Sequence, residues 1–281
     1  MILNSLVGVG LRPAHYPHLE NSPQIHSNFF EAISENYMNT EGRPLEMLLK
    51  VRSHFPVALH GVSLSIGSDQ GIDKEYLKKL KILVERTDPI IVSDHICWSR
   101  SPSGNSHDLL PLPITHEALQ RVTANIDLVQ DFLGRQILLE NISYYLRFKE
   151  NEITETDFVV EMCKKTGCKI LLDLNNIHVN SVNHGFDPVS FVNEIPPEIV
   201  GQIHLAGPSQ EEGYLFDTHA SHVPDEVWSL FKYVTDKGLR VPVIVEWDED
   251  IPDFEELEKE VLSARKILLR KDNVVHETPA Q

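Results

Sequence analysis

One pattern repeats along the whole chain: a short, strongly apolar run is followed by a longer amphipathic stretch. There are eight such runs, at residues 6–11, 28–34, 56–64, 90–97, 136–142, 169–175, 199–205 and 242–247. Near-continuous apolar runs of this length are typical of strands that are buried on both faces of a parallel sheet. Eight strands that alternate with helical segments predict a single (β/α)8 TIM barrel, a fold that needs about 250 residues.

Helix-capping residues and prolines mark where most of the intervening helices should begin. The predicted helices are 44–54, 73–87, 115–134, 154–166, 187–194, 225–237 and 253–269, and segment 15–27 holds at most a short one. We expect the barrel to occupy residues 1–270 and a polar tail to follow at 271–281. A doubly wound open sheet is the alternative, but Gly8-Val9-Gly10 lacks the third glycine of a phosphate-binding loop.

Charge and cysteine content exclude several classes of protein. Lys and Arg number 25 against 42 Asp and Glu, a formal charge of −17, which argues against nucleic acid and anionic membranes as partners. No run approaches the roughly 18 apolar residues that cross a bilayer. The N-terminus lacks the features of a signal peptide, and the three cysteines form no CxxC pair. These features predict a cytoplasmic protein with its thiols in the core.

In six of the eight predicted strands, the run of apolar residues stops at a histidine or a carboxylate. These residues are His60, His95, Glu140, Asp173, His204 and Glu246. The carboxyl ends of all strands in a TIM barrel meet at one mouth, where active sites lie. Any one of these residues could simply anchor a loop, but six at matching positions indicate a shared site. Carboxylates gathered at one mouth repel each other unless cations or protons compensate. Imidazole and carboxylate together suit Zn, Fe or Mn, so we predict a metal site.

Further candidate ligands follow strands six and seven. After Asp173 the chain continues through Asn176 to His178, and Asp217-Thr218-His219 places a carboxylate and an imidazole two residues apart. In an extended segment these two side chains would lie on the same side. The six strand-end groups could hold two metals with one bridging carboxylate, and His178, Asp217 and His219 could complete a third site.

The local sequence around these residues is similar to one family. The relevant stretches are GVGLR at 8–12, FEAISENYM at 30–38, HGVSLS at 60–65, SDH at 93–95, LENIS at 139–143, DLNN at 173–176, HLAG at 204–207 and EWD at 246–248. They resemble the DUF692 family, the multinuclear non-haem iron-dependent oxidative enzymes, over about residues 5–268. The order of candidate ligands also resembles the trinuclear site of the xylose-isomerase-like barrels, which include endonuclease IV.

The resemblance implies a xylose-isomerase-like TIM barrel that holds two or three irons and uses O2 to modify cysteines of a ribosomally made precursor peptide. Zinc or manganese could substitute for iron, and a separate partner protein that binds the peptide leader is a further expectation. By position, His60, His95 and Glu140 would hold one iron, and Glu140 would bridge to a second held by Asp173, His204 and Glu246. Asn176 or His178, with Asp217 and His219, would hold the third.

Three acidic residues near the strand ends are candidates for a catalytic role. Glu31 and Glu35 share one face of the second predicted strand by parity, so they could point into the mouth or simply complete the strand. Asp94 adjoins His95, as Asn141 adjoins Glu140, and could orient its neighbour. Residues that could contact the peptide or transfer protons are Arg12, His15 and Tyr16.

Two other functions use the same ligands. One is a zinc phosphodiesterase of the endonuclease IV type, in which the metals activate water and clamp a phosphate, although the charge of −17 disfavours DNA. The other is a non-catalytic metal-binding barrel, which would not need open coordination positions.

Overall fold

Eight parallel strands close into a barrel, with each strand beside its neighbours in chain order and the last paired with the first. The computed structural model describes residues 3–21, 24–101 and 104–270. The barrel strands, numbered first to eighth below, are Val7–Gly10, Phe30–Ile33, Val57–His60, Ile91–His95, Leu138–Glu140, Lys169–Asp173, Val200–Leu205 and Val243–Val245. All eight lie within predicted runs, so the predicted TIM barrel is confirmed. The predicted tail at 271–281 lies outside the described residues.

Ten α-helices are present in the described ranges: Tyr16–Glu20, Glu35–Met38, Arg43–Arg52, Lys74–Thr87, His116–Leu133, Glu155–Thr166, Leu174–His184, Pro188–Glu194, Asp225–Asp236 and Phe254–Leu268. Short 3-10 turns occupy Leu3–Ser5, Pro13–His15 and Pro197–Ile199. The predicted caps function as expected, because the side chain of Asp73 accepts from two backbone N–H groups of the helix it precedes, and Thr154 accepts from one. Gly134 and Gly167 end their helices in the left-handed conformation.

Helix Leu174–His184 was not predicted. Its sequence, LNNIHVNSVNH, is rich in asparagine and β-branched residues that have low intrinsic helix propensity. The predicted sixth strand was therefore two residues too long, since it ends at Asp173. The side chain of Asp173 accepts from the backbone N of Asn176 at 2.6 Å, so one residue both ends a strand and caps a helix.

Two β-hairpins were also missed. The first pairs Trp98–Ser101 with Gly104–Leu110 after the fourth barrel strand, and the second pairs Ser209–Glu211 with Tyr214–Phe216 after the seventh. Both are short antiparallel pairs outside the barrel sheet. The second hairpin leads directly into Asp217, so it positions the start of the Asp217-Thr218-His219 segment.

The barrel interior carries an apolar layer formed by Leu6, Phe29, Ala58, Ile91, Leu138, Leu171 and Ile244. Four of these residues stand two positions before a predicted ligand in the sequence, as Ala58 does before His60 and Leu138 before Glu140. Because alternate side chains of a strand share a face, the ligands lie on the inner face directly above this layer. The apolar layer closes the barrel beneath the polar groups and confines them to the mouth.

The three cysteines are buried free thiols, as the sequence predicted. Within the described ranges, no helix is long and apolar enough to cross a bilayer.

A substitution at Gly8 tests how closely the first two strands approach each other. A Cβ at this position would stand 1.7 Å from the carbonyl oxygen of Phe29. Gly8→Ala must separate the strands, and we expect the free energy of unfolding to fall by at least about 1–3 kcal/mol in chemical denaturation. Gly42→Ala is the control, because the nearest atom there is Thr40 Oγ1 at 3.7 Å. Equal losses of stability in the two variants would contradict the close approach.

Candidate metal centre

His60, His95 and Glu140 converge from the third, fourth and fifth strands. The Nε2 atoms of His60 and His95 lie 3.3 Å apart. They lie 3.2 and 3.3 Å, respectively, from Oε2 of Glu140. All three residues are buried, at 6% exposure or less. The three atoms thus form a nearly equilateral triangle inside the barrel mouth.

The protonation of the two imidazoles follows from their other ring nitrogens. Nδ1 of His95 lies 3.0 Å from the carbonyl oxygen of Gly61, which can only accept, so Nδ1 carries the hydrogen. Nδ1 of His60 lies 2.8 Å from Ser93 Oγ, whose own hydrogen points to the carbonyl oxygen of Leu59 at 3.4 Å. Burial lowers the pKa of His60 well below its ordinary value and that of His95 to about 4. Both rings are therefore neutral, and both Nε2 atoms are acceptors.

When Glu140 is ionised, three acceptors face one another. Among the described residues, Glu140 Oε2 has no hydrogen-bond donor, and neither Nε2 atom carries a hydrogen. A cation resolves this arrangement, because lone pairs that repel each other become its ligands. Ligands about 2.0–2.2 Å from one tetrahedral metal lie roughly 3.3 Å apart, and the observed separations match this geometry. The residues present therefore fit a metal ion.

A second group lies on the other side of Glu140. Nδ1 of His204 is 3.8 Å from Glu140 Oε1, 3.9 Å from Asp173 Oδ2 and 3.0 Å from Glu246 Oε2. In the described part of the chain, Asp173 Oδ2 has no hydrogen-bond partner. Glu140 thus presents Oε2 to the first group and Oε1 to the second, which is the placement that a bridging carboxylate requires.

Glu31 holds the ring of His204 from behind. Its Oε1 lies 2.8 Å from His204 Nε2, and its Oε2 accepts from Gln202 Nε2 at 2.5 Å. Since a carboxylate accepts, Nε2 carries the hydrogen and Nδ1 is left to face the second group. The sequence placed Glu31 as a candidate catalytic residue. The structure places it below the mouth, in contact with the candidate ligand His204.

Burial disfavours the ionised form of the carboxyl groups at the mouth. Burial raises the pKa of Glu140 well above its usual range and that of Asp173 to about 7. Burial also opposes ionisation of Glu246, but His204 and His219 beside it hold the pKa of that carboxyl well below its ordinary value. In the absence of a cation, the cluster retains protons that a bound metal would displace.

A third group comprises Asp217, His219 and Glu246. His219 Nε2 lies 2.6 Å from Asp217 Oδ1 but makes no hydrogen bond of normal geometry with the described residues, and His219 Nδ1 lies 3.4 Å from Glu246 Oε2. The two side chains lie on the same side, as predicted, but the segment is not extended at His219, which has a positive φ of 49°. This left-handed backbone, uncommon for a residue with a side chain, turns His219 back toward Asp217.

Asn176 lies beside Glu140 and Asp173 of the second group, and His178 faces elsewhere. Nδ2 of Asn176 donates to the carbonyl oxygen of Asn141 at 3.0 Å and to Glu140 Oε1 at 3.4 Å. Its Oδ1 is buried and has no partner among the described residues. Burial lowers the pKa of the half-buried His178, and Glu226 of helix Asp225–Asp236 opposes that shift. The sequence left the choice between the two open because the helix that carries them was not recognised.

Glu35 and Asp94 lie outside the mouth. Glu35 is in the helix after the second strand, not on the strand face that parity predicted, and its Oε1 accepts from the backbone N of Val62. Asp94 alternates with the inward-facing His95, and its Oδ2 accepts from the backbone N of Leu64 at 3.1 Å. Both carboxylates thus bind the loop that follows the third strand.

Some residues of the site were missed by the sequence analysis or given another role. Arg12, a candidate peptide contact, lies 3.3 Å from Glu246 Oε1 and also pairs with Asp248. Asp248 further contacts Nδ1 of His219 at 3.1 Å. Gln202, which supports Glu31, lies two residues before His204, so strand parity was a signal that could have found it.

Glu140→Gln should disturb metal binding more than the loss of an exposed carboxylate. The change removes a charge shared by two groups, so we expect metal affinity to fall by more than about a hundredfold and both groups to lose metal. Elemental analysis after dialysis measures this effect. The control is Glu255→Gln, whose side chain is 73% exposed on helix Phe254–Leu268. Equal metal content in the two variants would remove the bridging role.

Glu31→Gln tests the orientation of His204. A glutamine must turn an NH2 group toward either His204 Nε2 or Gln202 Nε2, both of which donate. We expect zinc affinity, measured against a competing chelator dye, to fall by about 10–100-fold while the circular dichroism spectrum is retained. The Glu255→Gln variant again serves as the control. Wild-type affinity in Glu31→Gln would show that His204 does not depend on Glu31.

Solved structures resemble the chain in fold. A xylose isomerase-like TIM barrel/4-hydroxyphenylpyruvate dioxygenase fusion protein aligns with a TM-score of 0.62 at 11% identity, over 92% of this chain and 42% of that one. Endonuclease IV from Thermus thermophilus aligns with a TM-score of 0.58 at 15% identity, over 94% of this chain and 98% of that one. At such low identity the likeness establishes a xylose-isomerase-like TIM barrel and leaves the reaction open.

Sequence relatives are much closer. A UPF0276 protein of Caulobacter vibrioides is 48% identical over 258 residues, which is 92% of each chain. The family model described as "RiPP precursor modification enzyme MbnB/TglH/ChrH" matches residues 6–269, a span that contains all eight barrel strands and every candidate ligand. The chain therefore belongs to the MbnB/TglH/ChrH family of RiPP precursor modification enzymes, the DUF692 or UPF0276 family that its sequence motifs resemble.

Proposed function

We propose that the chain is an iron-dependent oxidase that uses O2 to modify cysteine residues of a ribosomally made precursor peptide. The observation that carries the proposal is the meeting of three acceptor atoms, His60 Nε2, His95 Nε2 and Glu140 Oε2, within 3.3 Å of one another. The second oxygen of Glu140 faces a further group of ligands. Membership of a precursor-modifying family supports a peptide as the substrate.

The residues are arranged for two or three metals, about one for each ligand group. The ligands would be His60, His95 and Glu140 for the first metal, and Glu140, Asp173, His204 and Glu246 for the second. Asn176, Asp217 and His219 would hold the third. Three protein ligands on the first metal would leave coordination positions open. Bound iron would supply a redox centre that accepts a cysteine thiolate as a soft ligand and reacts with O2.

The protein itself orients and shields this centre. Ser93 Oγ and the carbonyl oxygen of Gly61 fix the rings of the first two histidines. The guanidinium of Arg12 offsets the charge of Glu246 and Asp248. Since these groups are positioned before any substrate arrives, little reorganisation is needed at the site.

Exposure indicates where a substrate would enter. The side chain of His204 is 0% exposed, and those of His219 and Asp217 are 9% and 15% exposed. The third group is therefore the one nearest solvent, and a cysteine side chain that reaches it need not displace the interior of the barrel.

The test is co-expression with a cysteine-containing precursor peptide encoded beside this chain, together with any leader-binding partner protein encoded there. We expect two or three irons per chain, about one for each ligand group, a change in peptide mass, and O2 consumption that a Cys→Ser peptide does not support. Glu140→Gln should abolish both signals and Glu255→Gln should retain them.

Two outcomes would contradict the proposal. One is a metal content of one iron or less after anaerobic loading. The other is an unchanged peptide mass with fully loaded enzyme and partner protein. Cleavage of an abasic-site oligonucleotide by the zinc-loaded protein would instead favour a phosphodiesterase, and metal uptake with neither reaction would favour a non-catalytic metal-binding barrel.

A further inference from the structure

A cavity of about 430 Å³ lies beside the metal centre, outside the fifth barrel strand. Its inner wall includes Ile96 and Ile142, which follow His95 and Glu140 by one and two residues. Its outer wall includes the first turn of helix Glu155–Thr166. Because helices that follow TIM-barrel strands begin at the carboxyl end of the barrel, this cavity and the metal centre lie at the same end.

One short loop after the fifth strand separates the two sites. On one side, the side chain of Ser143 bonds to Asp217, and Tyr145 Oη accepts from the backbone N of Asp217 at 3.1 Å. On the other side, Tyr144 and Leu146 line the cavity. Alternate residues thus face the metal centre and the cavity, as in an extended strand. The distance between the two sides is on the order of 10 Å.

The cavity is built to hold an apolar group. Its walls are mainly aliphatic and aromatic and include Ile142, Phe148, Phe158, Phe186 and Phe191. The guanidinium of Arg147 covers the rings of Tyr144 and Phe186 at 5.8 and 5.9 Å. At one margin Tyr144 Oη donates to Glu155 Oε2 at 3.0 Å. The volume is within the usual range of small-ligand sites.

Exposed apolar residues connect the cavity with the metal centre. Tyr145 and Leu146, at the top of the separating loop, are each 52% exposed. The ring of Tyr145 stacks on Phe216, with ring centroids 5.4 Å apart, immediately before Asp217. Large exposed apolar side chains at a site mouth are typical of surfaces that bind another molecule. An extended chain laid across this loop would contact both sites.

We propose that the cavity binds a large apolar side chain of the precursor peptide, about three residues from the cysteine presented to the metal centre. An extended peptide advances about 3.3–3.6 Å per residue, so three residues cross a loop roughly 10 Å wide. A peptide is the fitting occupant because one loop forms a wall of both sites and its exposed side chains join them. The inference rests on the proposed function and adds a determinant of substrate choice.

The probes are blocked synthetic peptides of glycine and serine with one cysteine. Each carries phenylalanine, leucine or alanine two, three or four residues before or after that cysteine. Binding to the zinc-loaded protein, in which no oxidation occurs, is measured by calorimetry without O2. At the best spacing we expect the phenylalanine or leucine peptide to bind at least about tenfold more tightly than the alanine peptide.

Two matched variants locate the effect. Val159→Phe fills this cavity, whereas Val192→Phe fills a separate cavity of about 200 Å³ at the other side of helix Pro188–Glu194. Both valines are buried helical residues, so the two changes strain the fold to a similar degree. We expect Val159→Phe to abolish the preference for the apolar peptide and Val192→Phe to retain it. Leu146→Asp, at an exposed position, should also abolish it if Val159→Phe fails to fold.

The inference is overturned if the wild type shows no preference at any spacing, or if Val159→Phe or Leu146→Asp keeps the wild-type ratio of affinities. Peptide binding is measured without oxidation, so the cavity assignment and the proposed reaction can fail independently. Oxidised peptides without an apolar preference would remove the cavity assignment alone. A clear preference without oxidation by the iron-loaded enzyme would remove the proposed reaction and leave a peptide-binding cavity.

Discussion

The alternation of side chains along a strand is the constraint on which this structure depends. On four of the six ligand-bearing strands, an inward apolar residue is followed two positions later by an inward polar group, as Leu138 is followed by Glu140 and Ile244 by Glu246. The lower residues fill the barrel, and the upper ones meet above them. The apolar layer excludes water from below, and the closed sheet holds the ligands at separations that loops alone would not maintain.

Buried carboxylates brought together at the barrel mouth repel one another unless positive charge compensates them. Neutral rings at His60 and His95 face Glu140 with lone pairs only, and Asp173 is buried with a pKa raised to about 7. Arg12 offsets part of this negative charge through Glu246 and Asp248. Protons or metal ions must compensate the remaining negative charge. The fixed orientations of His60 and His95 favour a metal because both rings aim an Nε2 atom without hydrogen at one shared point.

The loops around the mouth control access to it. The six strand-end candidate ligands are held by the barrel, but Asp217 lies in the loop after the seventh strand. That loop meets the loop after the fifth strand where Tyr145 contacts Phe216 and Asp217. Loops on a rigid barrel can vary without moving the strand-end groups, so the surroundings of the mouth can change while the first two ligand groups are kept.

The sequence by itself determined the barrel, its eight strands and the six strand-end groups that meet at its mouth, because both hydrophobic alternation and side-chain direction are local properties of a strand. Only the tertiary structure decided the rest. The helix that begins at Leu174 has weak intrinsic propensity and depends on its packing and its Asp173 cap, and it alone brings Asn176 to Glu140 while turning His178 toward Glu226. Likewise, the left-handed backbone of His219 and the position of Glu31 behind His204 arise from contacts between segments far apart in the chain, which no local pattern encodes.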